Sequence, residues 1–221
     1  MISIVIPTLN EEKYLGRLLN SLRFQNIIFE ILIVDSSDND LTRKSIQYFD
    51  LPIKYFKVNK KNVSYQRNYG IVNSKYDTVV CIDADCIIKK NVLIKTVKEL
   101  NRGKYIAGTC DIVTGKKIFD LLMNYTVRSL NFVGIGSGRG AFMIFNKSGI
   151  LFNENIKIGE DVEFFQRLNK KGKIKYFKHK VYTSDRRLKK EGYFNQVKIW
   201  VCNAFYMAAF GKSYGRLEVI R

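Results

Sequence analysis

The sequence predicts an α/β protein built on a mostly parallel, doubly wound sheet. Three observations carry this. Short β-branched runs alternate with stretches of helical period through the first half of the chain. The run Thr78-Val-Val-Cys-Ile is apolar without a break, as a strand buried on both faces must be. That run ends in two aspartates one residue apart, Asp83 and Asp85, and ligands of open α/β sheets sit beyond the carboxyl ends of the strands.

Taken in order, Ile2 to Pro7 reads as the first strand. Glu11 to Phe24 follows as an amphipathic helix, with Tyr14, Leu15, Leu18, Leu19 and Leu22 at helical spacing. Phe29 to Asp35, Ile53 to Val58 and Thr78 to Asp83 continue the strands. Right-handed crossovers would bring Thr8, Asp35, the loop after Val58, Asp83 and Asp85 to one sheet edge. The second half is less regular: a strand at Tyr105 to Asp111, a helix from about Ile118 to Phe132, a glycine-rich loop from Gly134 to Gly140, and a strand at Ala141 to Asn146. Gly159 opens a further helix, with Val162, Phe165 and Leu168 on its apolar side. No repeat or low-complexity linker divides the chain, so a single domain is expected. Its expected parts are a nucleotide-binding half (1–111), an acceptor half (112–190) and a C-terminal amphipathic helix (191–221).

The 221 residues are 46% hydrophobic, which excludes a disordered tail and suffices for one core. A formal net charge of +18 favours anionic partners without choosing among them. No helix, ribbon or aromatic platform carries a basic stripe, so a specific nucleic-acid module is not expected. Cysteines 81, 86, 110 and 202 form no Cys-x-x-Cys pair and no zinc spacing with His179, and read as reduced, buried apolar residues. Without a charged leader or a span of about 20 apolar residues, a cytoplasmic location is expected, possible contact with the membrane face included.

Two acidic segments carry candidate chemistry. Asp83 and Asp85 either hold Mg²⁺ or Mn²⁺ against substrate phosphates, or cap a helix at Asn91 and face water. Glu160 and Asp161 either complement the dipole of a helix N-terminus or supply a base beside a phosphate leaving group. The loop Gly134-Ile-Gly-Ser-Gly-Arg-Gly140 suits close approach of backbone to a ligand, or mobility, but lacks the context of a dinucleotide fingerprint.

The ordered set Ile4-Val-Ile-Pro-Thr-Leu-Asn-Glu-Glu12, Glu30-Ile-Leu-Ile-Val-Asp-Ser-Ser37, Gln66-Arg-Asn-Tyr-Gly70, Asp83-Ala-Asp85, Gly138-Arg-Gly140, Gly159-Glu-Asp161 and Thr183-Ser-Asp-Arg-Arg187 resembles the family-two glycosyltransferases of GT-A fold. The resemblance implies an inverting, metal-assisted transfer of a sugar from a UDP- or GDP-linked donor to a glycan or polyprenyl-linked acceptor. It assigns Pro7, Thr8, Asn10, Glu11, Asp35, Arg67 and Asp83 to the nucleotide, with Asn68 nearby, and Asp85 with Asp83 to Mg²⁺ or Mn²⁺. Asp161 becomes the base and Glu160 the group that binds or orients the acceptor. Arg139, Gly140, Arg186 and Arg187 fall to phosphate or acceptor, bidentate guanidinium contacts suiting phosphate. His179 is read as structural ahead of a metal ligand.

A metal-dependent nucleotidyltransferase is the alternative enzyme, but it calls for a glycine-rich basic loop after the first strand, where this chain has Pro7-Thr-Leu-Asn-Glu-Glu12. A basic nucleic-acid or membrane-binding module without catalysis is the alternative of another class. From Tyr193 to Phe210 the chain is aromatic and apolar with Lys198 its one charge, and follows the basic cluster at 186–190. It suits lying on an anionic membrane, or packing on the domain or a second subunit.

Overall fold

The computed structural model describes residues 1–192, with Asn195 and Lys198 beyond them. The expected C-terminal helix of 191–221 and Cys202 therefore lie essentially outside the described residues. The elements are β1 (Ile2–Thr8), α1 (Glu12–Leu22), β2 (Phe29–Asp35), α2 (Leu41–Ile46), β3 (Ile53–Lys57), α3 (Val63–Val72), β4 (Thr78–Ile82), β5 (Ile87–Ile88), α4 (Val92–Arg102), β6 (Ala107–Val113), α5 (Lys117–Phe132), β7 (Phe142–Asn146), α6 (Glu160–Asn169), β8 (Ile174–Tyr182) and α7 (Arg186–Glu191).

One eight-stranded sheet runs in the order β3-β2-β1-β4-β7-β6-β8-β5. The first four strands in sequence are parallel to one another, and β6 is parallel to β8. Strand β7 runs antiparallel between β4 and β6 and joins the two halves of the chain into one sheet. Alternation along the strands feeds two cores. Ile4, Ile6, Ile31, Ile33, Val80 and Ile82 pack with Leu15, Leu18, Leu22 and Leu93 of α1 and α4. Val5, Leu32, Val79 and Cys81 point the other way, toward Ile71 of α3 and Phe164, Phe165 and Leu168 of α6. Burial on both faces is why these strands read as unbroken apolar runs.

Pro7 lies beyond Val5, the last β1 residue paired with β4, so the central strand tolerates a residue without an N–H. Helix α3 approaches β1 through Gly70, where a Cβ would stand 2.3 Å from Val5 Cγ1. Cys81, Cys86 and Cys110 are buried free thiols, as expected. No helix among the described residues is long and apolar enough to cross a membrane.

Candidate active site at the carboxyl edge of the sheet

The parallel strands end together, and their first polar residues form one network. Thr8 closes β1 and donates Oγ1 to Asp35 Oδ1 at the end of β2 at 3.0 Å. Asp35 also accepts from Ser37 N at 3.1 Å, Ser37 Oγ at 2.6 Å, Tyr55 OH at 2.7 Å and Lys57 Nζ at 3.3 Å. Burial opposes its ionisation, but the hydrogen bonds from Ser37, Tyr55 and Thr8 prevail and hold the carboxyl below its ordinary range. Its side chain is fully buried, and its bonds to Ser37 shape the loop that follows β2. Asn10 takes a left-handed φ of 57° at the turn into α1, and its N–H donates to Ser37 Oγ at 2.7 Å. Gln66 Nε2 ties α3 to this edge, donating to the carbonyls of Thr8 and Val34 at 2.7 Å each.

Asp83 and Asp85 sit in the turn just past β4, which ends at Ile82. They do not cap α4: its N-cap is Asn91, with no side-chain cap. Asp83 instead accepts from Arg67 Nη2 at 3.1 Å. Asp85 accepts from Thr183 Oγ1 at 3.2 Å and faces Arg186 Nε at 3.5 Å. Arg186 also pairs with Glu11 and lies 4.5 Å from the centre of the Tyr14 ring. Burial, then the charge of Asp83, push Asp85 up to about 6 against the pull of Arg186. Glu11 Oε2 is buried without a hydrogen-bond partner. Hard oxygen donors carrying surplus negative charge fit a divalent cation such as Mg²⁺ or Mn²⁺.

Across the edge, Gly159 takes a φ of 78° that a glycine adopts without strain and starts α6, placing Glu160 and Asp161 in its first turn. Asp161 Oδ2 accepts from Gly140 N at 2.6 Å. Burial and the neighbouring Glu160 raise its pKa to about 6, opposed by Arg67 and the N–H groups of Gly140 and Val162. Glu160 accepts from Arg67 Nη1 at 2.8 Å.

Arg67 is thus the hub. Its side chain is 2% exposed, both terminal nitrogens are spent on Asp83, Glu160 and the Gly140 carbonyl, and its guanidinium lies 5.3 Å from the Phe152 ring centre. Nε of the same guanidinium is buried without a hydrogen-bond partner. Asn68, also expected near the nucleotide, exchanges hydrogen bonds with the Phe152 backbone at 2.7 and 2.9 Å and so holds the ring under Arg67.

The glycine-rich loop divides its work. A Cβ on Gly136 or Gly138 would meet α6 at 2.6 Å, so these two serve packing; Gly140 alone of the loop's glycines reaches the site. Arg139 is half-buried, with Nη1 at 3.4 Å from Asn124 Oδ1 of α5. The side chain of Arg187 lies outside the described residues. His179 Nε2 is spent on Glu99 at 2.8 Å, which favours its structural reading. Tyr55, Ser37, Gln66, Thr183 and Phe152 are not read from the sequence as site residues, although Ser37, Gln66 and Thr183 stand inside the motifs that carry the resemblance and the stretch at 64–68 is polar for a helix facing a sheet.

Residues 3–131 match the sequence model of glycosyl transferase family 2, which is more than half the chain. The chain belongs to glycosyl transferase family 2. The matched stretch contains Asp83, Asp85 and Arg67 and ends before Glu160 and Asp161. Among family-two relatives, the chain is 30% identical over 98 residues to the poly(ribitol-phosphate) beta-N-acetylglucosaminyltransferase TarS of Staphylococcus aureus, covering 41% of this chain and 17% of that protein. It is 24% identical to the minor teichoic acid biosynthesis protein GgaA of Bacillus subtilis across all of this chain and 56% of GgaA. The chain therefore spans between about a sixth and about half of these two relatives. Its fold matches the mannosyltransferase PcManGT of Pyrobaculum calidifontis, solved with GDP-Man and Mn²⁺, at a TM-score of 0.76 and 16% identity over 97% of this chain and 65% of the other. It also matches TarS residues 1–349 with UDP, at 0.65 and 22% identity over 83% of this chain and 60% of the other. These matches establish a GT-A type fold.

Proposed function

We propose that this family-two domain transfers a sugar from a nucleotide-sugar donor, UDP- or GDP-linked, to a hydroxyl or phosphate of a glycan or lipid-linked acceptor, with inversion at the anomeric carbon. One observation carries the proposal: Arg67 joins the aspartate pair after β4 to the carboxylates that open α6, so donor and acceptor chemistry meet at one guanidinium.

Asp85 and Asp83 would hold Mg²⁺ or Mn²⁺, with remaining ligands from diphosphate oxygens and water, since the described residues contain no group of three or more metal-ligating side chains placed around one ion. The cation, when bound, neutralises charge on the departing nucleoside diphosphate. Asp161, raised toward neutrality by burial and Glu160, takes the proton of the acceptor hydroxyl, and Gly140 N–H holds its carboxylate in place. Glu160, fixed by Arg67, orients the acceptor, and Arg186 helps neutralise the diphosphate from the side of α7. Attack opposite the leaving group inverts the sugar. Binding energy in the turn after β2 and around Thr8, Asn10 and Glu11 would select the base. The bound nucleotides of PcManGT and TarS support this class of donor.

Thermal stabilisation by a panel of nucleoside diphosphates and nucleotide sugars, with and without Mn²⁺, tests the reading. Metal-dependent stabilisation by one nucleotide, lost in Asp85→Asn, is expected; indifference to the whole panel would overturn it.

A further inference from the structure

Helix α5 is apolar on two opposite faces. Phe119, Met123 and Val127 are buried, the first two against Leu188 of α7. On the other side Ile118, Leu121, Leu122 and Tyr125, at i, i+3, i+4 and i+7, are 77%, 70%, 55% and 70% exposed, and Phe132 extends the stripe two turns on at 92%. Contiguous apolar stripes of this kind are rarely left to water without a partner. The stripe carries no carboxylate, because Asp120, the one acid of α5, is buried and accepts from the Thr114 and Gly115 N–H groups. Exposed lysines stand at its start, Lys116 and Lys117.

We propose that the exposed face of α5 docks on an anionic lipid surface, the apolar stripe entering the headgroup region and the lysines meeting lipid phosphates. A second copy of this chain would set the same lysines of two +18 molecules against each other, which disfavours self-association through this face. The inference deepens the glycosyl-transfer reading and rests on it for its purpose. The buried side of α5 carries Asn124, which meets Arg139, the residue before the Gly140 that holds Asp161. Docking would therefore set the acceptor side of the site at headgroup depth, where the phosphate of a lipid-linked acceptor lies.

Co-sedimentation of the full chain with vesicles tests this, using phosphatidylcholine alone and mixed with phosphatidylglycerol, in the absence of donor. Binding to the mixed vesicles only is expected, weakened about tenfold or more by the double change Leu121→Ser with Leu122→Ser and unaltered by Tyr48→Ser, an exposed aromatic off this helix. No vesicle binding, or binding unchanged by the double change, would overturn the proposal. So would a loss of thermal stability or a new oligomeric state of the double variant without lipid, since the face would then be covered by residues 193–221 or by a second copy. Nucleotide stabilisation of the same variant separates a failure here from a failure of the glycosyl-transfer reading.

Discussion

Asp83 and Glu160 share one guanidinium: Arg67 donates Nη2 to the first at 3.1 Å and Nη1 to the second at 2.8 Å. A planar fork can hold two carboxylates in fixed relation, and an ammonium cannot. Arg67→Lys should therefore leave the protein folded and lower kcat about 10²-fold through misplacement of the carboxylates. Arg67→Met should cost about 3 kcal/mol in chemical denaturation, the lower end for breaking a buried pair, because Asp83 is 33% exposed. Wild-type turnover in Arg67→Lys would remove the coupling from the account.

Asp85 and Asp161 both have pKa values raised from 3.8 to about 6 by burial and like-charged neighbours. Between those values the folded state holds protons that the unfolded chain has released, so the two groups make stability fall as pH rises from about 4 to 6. Activity moves the opposite way, since Asp161 must be ionised to accept a proton, and kcat should rise through about pH 6 and then level. Melting temperature and turnover against pH check the opposed slopes. Asp161→Asn and Asp85→Asn should each raise the melting temperature at pH 7 in the absence of metal.

Much of this was legible in the sequence, for identifiable reasons. Strands β1, β2 and β4 are buried on both faces, so their apolar runs stand out, and their carboxyl ends locate Thr8, Asp35, Asp83 and Asp85 without coordinates. The place of β7 between β4 and β6 was not legible, because strand order is decided by tertiary pairing. Nor was the burial of Arg67 and Asp35: a sequence shows that an arginine and an aspartate are present, not that five donors already surround one and two carboxylates the other. Two glycines of the loop before β7 looked like a ligand cradle and are explained by Phe165 and its helix.

Arg186 lies between Asp85 and Glu11 and lowers the surplus charge of that corner. Arg186→Met should deepen the charge, so Mn²⁺ should stabilise the variant more than it stabilises the wild type. Equal thermal shifts for both proteins would place the cation elsewhere.

Gly70 allows α3 to sit on β1. Gly70→Ala should lose about 2 kcal/mol in urea unfolding, as overpacking of a core does, since its Cβ would meet Val5 Cγ1 at 2.3 Å. Val5→Ala in the same chain should recover part of the loss; no recovery would assign the strain to another contact.

The central claim is that Asp161 activates the acceptor at a site whose donor side is formed by Asp83 and Asp85. Release of nucleoside diphosphate from the donor that stabilises the protein, followed in the wild type and in Asp161→Asn, tests it most directly. The account predicts donor stabilisation equal to wild type in Asp161→Asn, with turnover reduced about 10²- to 10⁴-fold, the range of general base catalysis. Undiminished turnover in that variant would contradict it.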